Sequence, residues 1–215
     1  MTEKLAINNH KEFLNSLLSG NRAMSSVLAR NFLNRPASIK ELYEDIFKNA
    51  LYDVGELWEY NKISVATEHL ASAIVEAILN ELYPNVISKE KINKTAIVAC
   101  VENEFHQIGI KMVSDIFEMN GWNTHFLGAN TPTAELISYA KTIKPDMLAI
   151  SLSIYFHLPI LENMIGTVRK DFPNLPILVG GQAFSKGGQE VLLKYKNVIY
   201  KPDLDSTELF IKNLN

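Results

Sequence analysis

Cysteine is almost absent: Cys100 stands alone in 215 residues. That excludes an internal disulfide and a cysteine-built zinc site, and nothing indicates an oxidising compartment. No apolar run reaches the ~18 residues of a membrane span, and the opening MTEKLAINNHKEF lacks the apolar core of a signal peptide. A cytoplasmic protein without a membrane partner is expected. Long Lys/Arg blocks are missing too. With 21 Lys+Arg against 24 Asp+Glu and a formal net charge of -3, the clustered cations that neutralise phosphates are not there, so direct nucleic-acid binding is not expected. Internal repeats, low-complexity tracts, coiled-coil heptads, a nucleophile beside a base and a Gly-rich phosphate loop with Lys are likewise absent. What remains is an ordinary globular composition, 47% hydrophobic and 21% charged, long enough for one large domain or two modest ones.

Two periodicities divide the chain. Up to about Tyr83 apolar residues recur at helical spacing, as in Ile39, Leu42, Ile46, Ala50, Val54 and Leu57. Gly20-Asn21 and Asn34-Arg35-Pro36 punctuate this half, predicting helices over roughly 7–18, 22–33, 37–60 and 64–83, with Ser64 as N-cap of the last. Between Pro84 and Lys94 the composition turns polar, which places a linker there and sets domains at 1–88 and 94–215. After Thr95, short β-branched runs alternate with helical segments: AIVACV, THFLG, MLAISL, ILVGG and VIY. Nearly continuous apolar runs suit parallel strands covered on both faces. The expected fold is a four-helix bundle followed by a five-stranded parallel α/β domain, flavodoxin-like or Rossmann-like.

In an open α/β sheet, ligands bind beyond the carboxyl ends of the strands, where strand order reverses. If the order is 2-1-3-4-5, the segments after runs one, three and four are neighbours: Glu102 to Gly109, Ser151-Leu152-Ser153, and Gly180-Gly181-Gln182-Ala183-Phe184. His106 has the most chemical potential among them, because a neutral imidazole on a loop ligates transition metals. Glu104, two residues earlier, could hold the other ring nitrogen and fix the tautomer. Gly109, Gly180 and Gly181 remove side chains next to that pair. Taken singly, each of these residues also fits a plain loop or turn role. His125 is expected as a buried, satisfied imidazole, His10 as exposed, His157 as a residue near the site, and Cys100 as a small core side chain.

Together, Glu104-x-His106-x-x-Gly109, Ser151-x-Ser153 and Gly180-Gly181 resemble the cobalamin-binding signature Asp-x-His-x-x-Gly, Ser-x-Leu or Ser-x-Thr, Gly-Gly. The resemblance implies that His106 ligates cobalt from below in place of the displaced dimethylbenzimidazole. It further implies that Glu104 supports His106, Phe105 and Gly109 flank the corrin, Ser151 and Ser153 face the nucleotide tail, and Gly180-Gly181 make room for it. Glu stands at 104 where the family has Asp, which changes the reach of the carboxylate. The first half carries a second resemblance. Val54-Gly55-Glu56-Leu57-Trp58-Glu59, then Ile63 to Glu68-His69, is similar to the helical cap of cobalamin-dependent light-sensing regulators, in which a Trp is followed ten residues later by Glu-His. Trp58 would then cover the upper corrin face, and Glu68 and His69 would hydrogen-bond an upper adenosyl group.

Two departures shape the functional expectation. Those regulators usually begin with a helix-turn-helix DNA-binding domain, whereas this chain starts inside the bundle. A His that follows the cap Trp in the best-known members is Glu59 here, so a bis-histidine photoproduct is not expected. The resemblance therefore implies a non-catalytic sensor of adenosylcobalamin, with methylcobalamin or hydroxocobalamin as other forms. It would signal to a protein partner such as a transcription regulator, or through a homo-oligomer. The alternative is a corrinoid carrier that shuttles methyl groups for methyltransferases. A phosphoacceptor receiver domain is excluded, because strand three ends in Ser151-Leu152-Ser153 without a carboxylate. A flavodoxin proper is disfavoured by the Glu/His loop where a phosphate cradle should be.

Overall fold

The computed structural model describes residues 2–34 and 38–214, and the chain divides into two compact units, Met1–Val86 and Ile87–Asn215. The first unit is helical: α1 (Thr2–Leu18), α2 (Arg22–Leu33), α3 (Ile39–Glu41), a π-helical stretch (Leu42–Lys48), α4 (Asn49–Glu59) and α5 (Val65–Val86). Local chemistry explains the ends. The Asn21 side chain accepts from the Met24 amide at the start of α2, Ser38 and Glu41 form a capping box, and Ser64 accepts from the Thr67 amide ahead of α5. Arg35 and Pro36 of the expected second break lie outside the described residues.

The segment 39–59 is not the uniform α-helix expected over 37–60. Leu42, Tyr43, Ile46 and Phe47 are all buried, although neighbours on an α-helix are about 100° apart around the axis. Widening the turn to a π-helix turns both adjacent pairs toward the core, where Phe13 and Tyr43 each stack on Phe47. At the far end, α5 runs past Pro84 to Val86. Proline lacks an amide donor and its ring crowds the carbonyl four residues earlier, and burial of Leu82 and Val86 holds the last turn against that cost. His10 is not exposed: it is partly buried, with Nε2 2.7 Å from Asp53 Oδ2.

The second unit is a parallel five-stranded sheet, β1 (Thr95–Cys100), β2 (Asn123–Gly128), β3 (Met147–Ser151), β4 (Ile177–Gly180) and β5 (Val198–Tyr200), in the order β2-β1-β3-β4-β5. This is the fold class expected. Helices α6 (Ile108–Met119), α7 (Thr133–Ile143), α8 (Leu158–Asp171) and α9 (Leu204–Lys212) complete it. The central strands are buried along their length, as in β3. β2 lies at an edge and is half open, so His125 is only partly buried and meets the Tyr139 hydroxyl at 2.8 Å. The connection from β4 to β5 is two 3-10 turns, Gln182–Lys186 and Gln189–Lys194, in place of an amphipathic helix. Gly187 and Gly188, at φ 102° and 94°, separate them. Among the described residues no helix is long and apolar enough to cross a membrane.

Strand order reverses between β1 and β3, whose chain connections leave in opposite directions. The crevice that an open α/β sheet offers a ligand is therefore at the carboxyl ends of these two strands. Val101 N donates to the Ser151 carbonyl there, tying the two exits together.

Candidate functional site

Beyond β1 the chain turns through Glu102 and Asn103 and runs without regular structure to α6. The Glu104 carboxylate points inward and is 0% exposed, whereas the His106 side chain is 59% exposed. Oε1 of Glu104 accepts from the His106 amide at 3.2 Å and lies 2.5 Å from His106 Nδ1. Oε2 accepts the amides of Ser153 at 3.0 Å and Ile154 at 2.9 Å, both from the loop after β3. Burial pushes the Glu104 carboxyl upward, but the His106 ring and the Ile154, His106 and Ser153 amides more than offset it, and its pKa falls to about 2. The result is an ionised carboxylate that holds an outward imidazole by Nδ1. With Nδ1 directed at the carboxylate, Nε2 is the nitrogen suited to a metal.

The loop is tied to the segment after β2. Asn103 N donates to Asn130 Oδ1, Asn130 N to the Glu104 carbonyl, and Ala129 N to Gln107 Oε1. Glu102 Oε2 accepts both the amide and the hydroxyl of Thr133. Asn103 and Asn130 have φ of 67° and 49°, a region asparagine tolerates. Cys100 donates to the His106 carbonyl at 3.6 Å, and burial, with the Glu104 charge, pushes its thiol up to about 12. It is a neutral core group, as expected.

The other expected residues are distributed as follows. Phe105 is exposed. A Cβ at Gly109, in the first turn of α6, would meet nothing within 4 Å, so open space adjoins the loop. Ser151 is buried at the end of β3, opposite Cys100 on one side and Gly180 on the other; Ser153 engages Glu104 through its amide. For Gly180 and Gly181 the structure supplies a reason within the chain itself. A Cβ on Gly180 would come 2.9 Å from the Lys201 carbonyl oxygen, and one on Gly181, at φ +113°, 2.2 Å from that of Leu152. Gly181→Ala should therefore lower stability by about 2 kcal/mol, the scale of a strained non-glycine conformation, readable as a drop in the midpoint of urea unfolding. In the helical unit, Trp58 is 50% exposed near the end of α4, so it is not a core aromatic. Glu68 Oε1 accepts from the Ser72 hydroxyl at 2.9 Å, while Oε2 lies 3.5 Å from His69 Nε2, on a side chain 74% exposed.

Ile154, Asn130 and Thr133 were not among the expected residues. Their roles come from backbone groups and loops roughly 25 to 50 positions away from the residues they contact, and no local pattern marks them.

A B12 binding domain family matches residues 94–201, half of the chain, and a second B12 binding domain family matches residues 10–83. The chain belongs to the B12 binding domain family. Among its relatives, the HTH-type transcriptional repressors CarA and CarH of Myxococcus xanthus are 28% and 27% identical over 56% and 66% of this chain. The match spans 41% and 47% of those two proteins, less than half of either. Dimethylamine corrinoid protein 1 of Methanosarcina acetivorans is 26% identical over 66% of this chain and 68% of its own length. The Methanosarcina barkeri monomethylamine corrinoid protein superposes with a TM-score of 0.80 over 96% of this chain and 98% of that one; at 14% identity the likeness shows the fold. These relatives are named as transcriptional repressors and as corrinoid proteins. The residues present fit the B12 group: an outward imidazole whose Nδ1 is fixed by a buried carboxylate, with open space at Gly109.

Proposed function

We propose that this cobalamin-binding chain is a sensor module that holds adenosylcobalamin and signals to a protein partner. The observation that carries the site assignment is the buried Glu104 carboxylate 2.5 Å from Nδ1 of the exposed His106 ring. Such a pair sets the tautomer, presents Nε2 and raises its basicity. Among the described residues no three His, Cys, Asp or Glu side chains group as metal ligands. A single imidazole suits a metal that brings its other ligands with it, as cobalt in a corrin does. His106 would hold cobalt from below with the nucleotide base displaced; Ser151, Ser153, Gly180 and Gly181 would border the tail. When bound, the cobalamin supplies a cobalt centre whose upper ligand is exchangeable. Phe105 and Gly109 would lie along the corrin, and Trp58, Glu68 and His69 would receive the upper group. Two features favour sensing: the likeness to two repressors, and Trp58 with Glu68-His69 ten residues on. The partner would be a transcription regulator or a second copy of this chain, without direct contact to nucleic acid.

The test is an absorption spectrum of the purified protein with adenosyl-, methyl- and hydroxocobalamin, before and after green light. A change in the adenosyl complex on illumination, with water or hydroxide left above the cobalt because Glu59 replaces a histidine, is the expected result. Trp58→Ala should weaken the adenosyl form by about tenfold, near the ~1.4 kcal/mol that a well-placed aromatic contributes, and hydroxocobalamin much less. Equal losses would assign Trp58 to the bundle alone. A second reading, a corrinoid methyl carrier, draws on the dimethylamine corrinoid protein, which is matched over 68% of its length. Methyl exchange with a methyltransferase and no response to light would decide for it.

A further inference from the structure

A second buried carboxylate lies at the opposite end of the sheet from Glu104. Glu118 is in the last turn of α6, where the helix dipole disfavours a negative charge, and its side chain is only 8% exposed, which disfavours it again. Its partners offset both costs. Oε1 accepts the Thr124 amide at 3.0 Å and the Thr124 hydroxyl at 2.6 Å, from the start of β2, and Oε2 pairs with the Lys91 ammonium. Burial pushes the carboxyl upward, but Lys91 and Thr124 more than offset it and hold it below the usual carboxylate range. Lys91 belongs to the polar segment after α5, and that segment is bound along its length to the second unit. The Ser88 amide donates to the Glu118 carbonyl at 3.2 Å, the Ile92 amide to the Gly121 carbonyl at 2.8 Å, and Lys91 Nζ to the Trp122 carbonyl at 3.3 Å. Lys94 Nζ binds the Leu214 carbonyl and lies 5.4 Å from the centre of the Trp122 ring. Gly121, at φ +82°, permits the close approach: a Cβ there would come 2.7 Å from the Glu90 carbonyl oxygen. Because α5 ends at Val86, Ile87 alone separates the last helical residue from the first bound amide.

We propose that Ser88–Lys94 is a strap and the Lys91–Glu118 pair its latch, which together keep the helical unit on a one-residue tether at Ile87. Without the ammonium, Glu118 would be a buried charge with one oxygen unpaired, and the strap would lift to let water reach it. The freed segment would add about 24 Å of extended chain to the tether. Tether length sets the effective concentration at which one linked part meets a ligand held by the other, and that concentration falls steeply as the tether grows. The consequence for cofactor binding rests on the reading in which Trp58, Glu68 and His69 receive the upper adenosyl group. On that reading a closed latch favours capture of adenosylcobalamin, whereas hydroxocobalamin, with its small upper ligand, gains less. Composition alone suggests a loose linker here, because Lys89, Glu90, Lys91 and Lys94 are polar and the segment forms neither helix nor strand. The partners of two of those lysines, Glu118 and Leu214, lie 27 and 120 positions away.

Hydrogen exchange of the full chain without cofactor, resolved amide by amide, tests the latch. In the wild type the Ser88 and Ile92 amides should exchange slowly. Lys91→Met should speed both by about tenfold or more and leave the amides of β3 and β4 unchanged, while Lys91→Arg keeps the cation and restores protection. Lys91→Met combined with Glu118→Gln removes the unpaired charge and should recover part of the protection. Circular dichroism melts establish that each variant is folded. Fast exchange of Ser88 and Ile92 in the wild type, or unchanged exchange in folded Lys91→Met, would overturn the latch. Faster exchange across β3 and β4 as well would make Lys91 a general stability residue and overturn it too. Cobalamin titration then reads the tether: Lys91→Met should weaken adenosylcobalamin binding by about three- to tenfold and hydroxocobalamin binding little. Equal losses for both forms, or wild-type affinity with the strap open, overturn the role of the tether. If the strap opens as expected but neither the variant nor the wild type binds cobalamin, the latch stands and the cofactor reading fails.

Discussion

Glu104→Ala should lower the unfolding free energy by about 3 kcal/mol at neutral pH, the scale on which breaking a buried charged arrangement is felt. The carboxylate is fully buried and takes four hydrogen bonds, from the amide and ring of His106 and from the Ser153 and Ile154 amides. Removing it leaves those donors facing one another, and each unsatisfied buried donor costs about 1–3 kcal/mol before water or relaxation offsets it. The pH dependence has a definite sign. Glu104 has its folded pKa lowered from 4.5 to about 2, so its contribution is fully present above the unfolded value. It is lost as pH falls from about 4.5 toward 2, a loss of about 3 kcal/mol for a depression of this size. Urea unfolding of the cofactor-free protein should show the gap between wild type and variant at pH 7 and its narrowing to about 1 kcal/mol at pH 2.5. A gap that keeps its full size at pH 2.5 would mean that the carboxylate's charge is not what the loop depends on.

His106→Ala should separate binding from folding. The ring is mostly exposed but leads the groups that offset burial of the Glu104 charge, so its removal should lower the urea midpoint, less than Glu104→Ala does because the three amides remain, while cobalamin affinity should fall by about 10- to 100-fold, the range seen when a metal site loses a principal support. The absorption of the bound cofactor should move at the same time, because the group below cobalt has changed. Isothermal titration and a spectrum of the same sample read both effects. Unchanged affinity and spectrum would remove His106 from the coordination sphere. With Glu104→Ala this makes a contrast: one variant damages fold and site alike, the other mainly the site.

The number and parallel character of the strands were legible because they are short, apolar and regularly interrupted, and the crevice followed once the order 2-1-3-4-5 was supposed, the order the sheet has. Glu104 and His106 were legible as a pair because they are two residues apart on the strand-one loop. The rest was hidden for physical reasons. The π-helical stretch arises from Leu42-Tyr43 and Ile46-Phe47 being buried together, a packing demand that a 3.6-residue period does not display. His125 looked like an interior residue because its run is apolar, but β2 is an edge strand. His10 looked exposed because nothing nearby in sequence shows Asp53 across the bundle. The glycine pair after β4 suggested space for a ligand; the close approach of the Leu152 and Lys201 carbonyls is a further demand for glycine, made by residues distant in sequence that no local pattern displays.

The ties between the loop after β1 and the segment after β2 have a thermodynamic consequence for capture of a large ligand. Asn103 with Asn130, Gln107 with Ala129, and Glu102 with Thr133 order both segments when the chain folds. Fixing a residue's backbone costs about 1–2 kcal/mol of conformational entropy, and that cost falls on folding, leaving little of it to be met on association. Contacts made by the incoming molecule then count toward affinity almost in full.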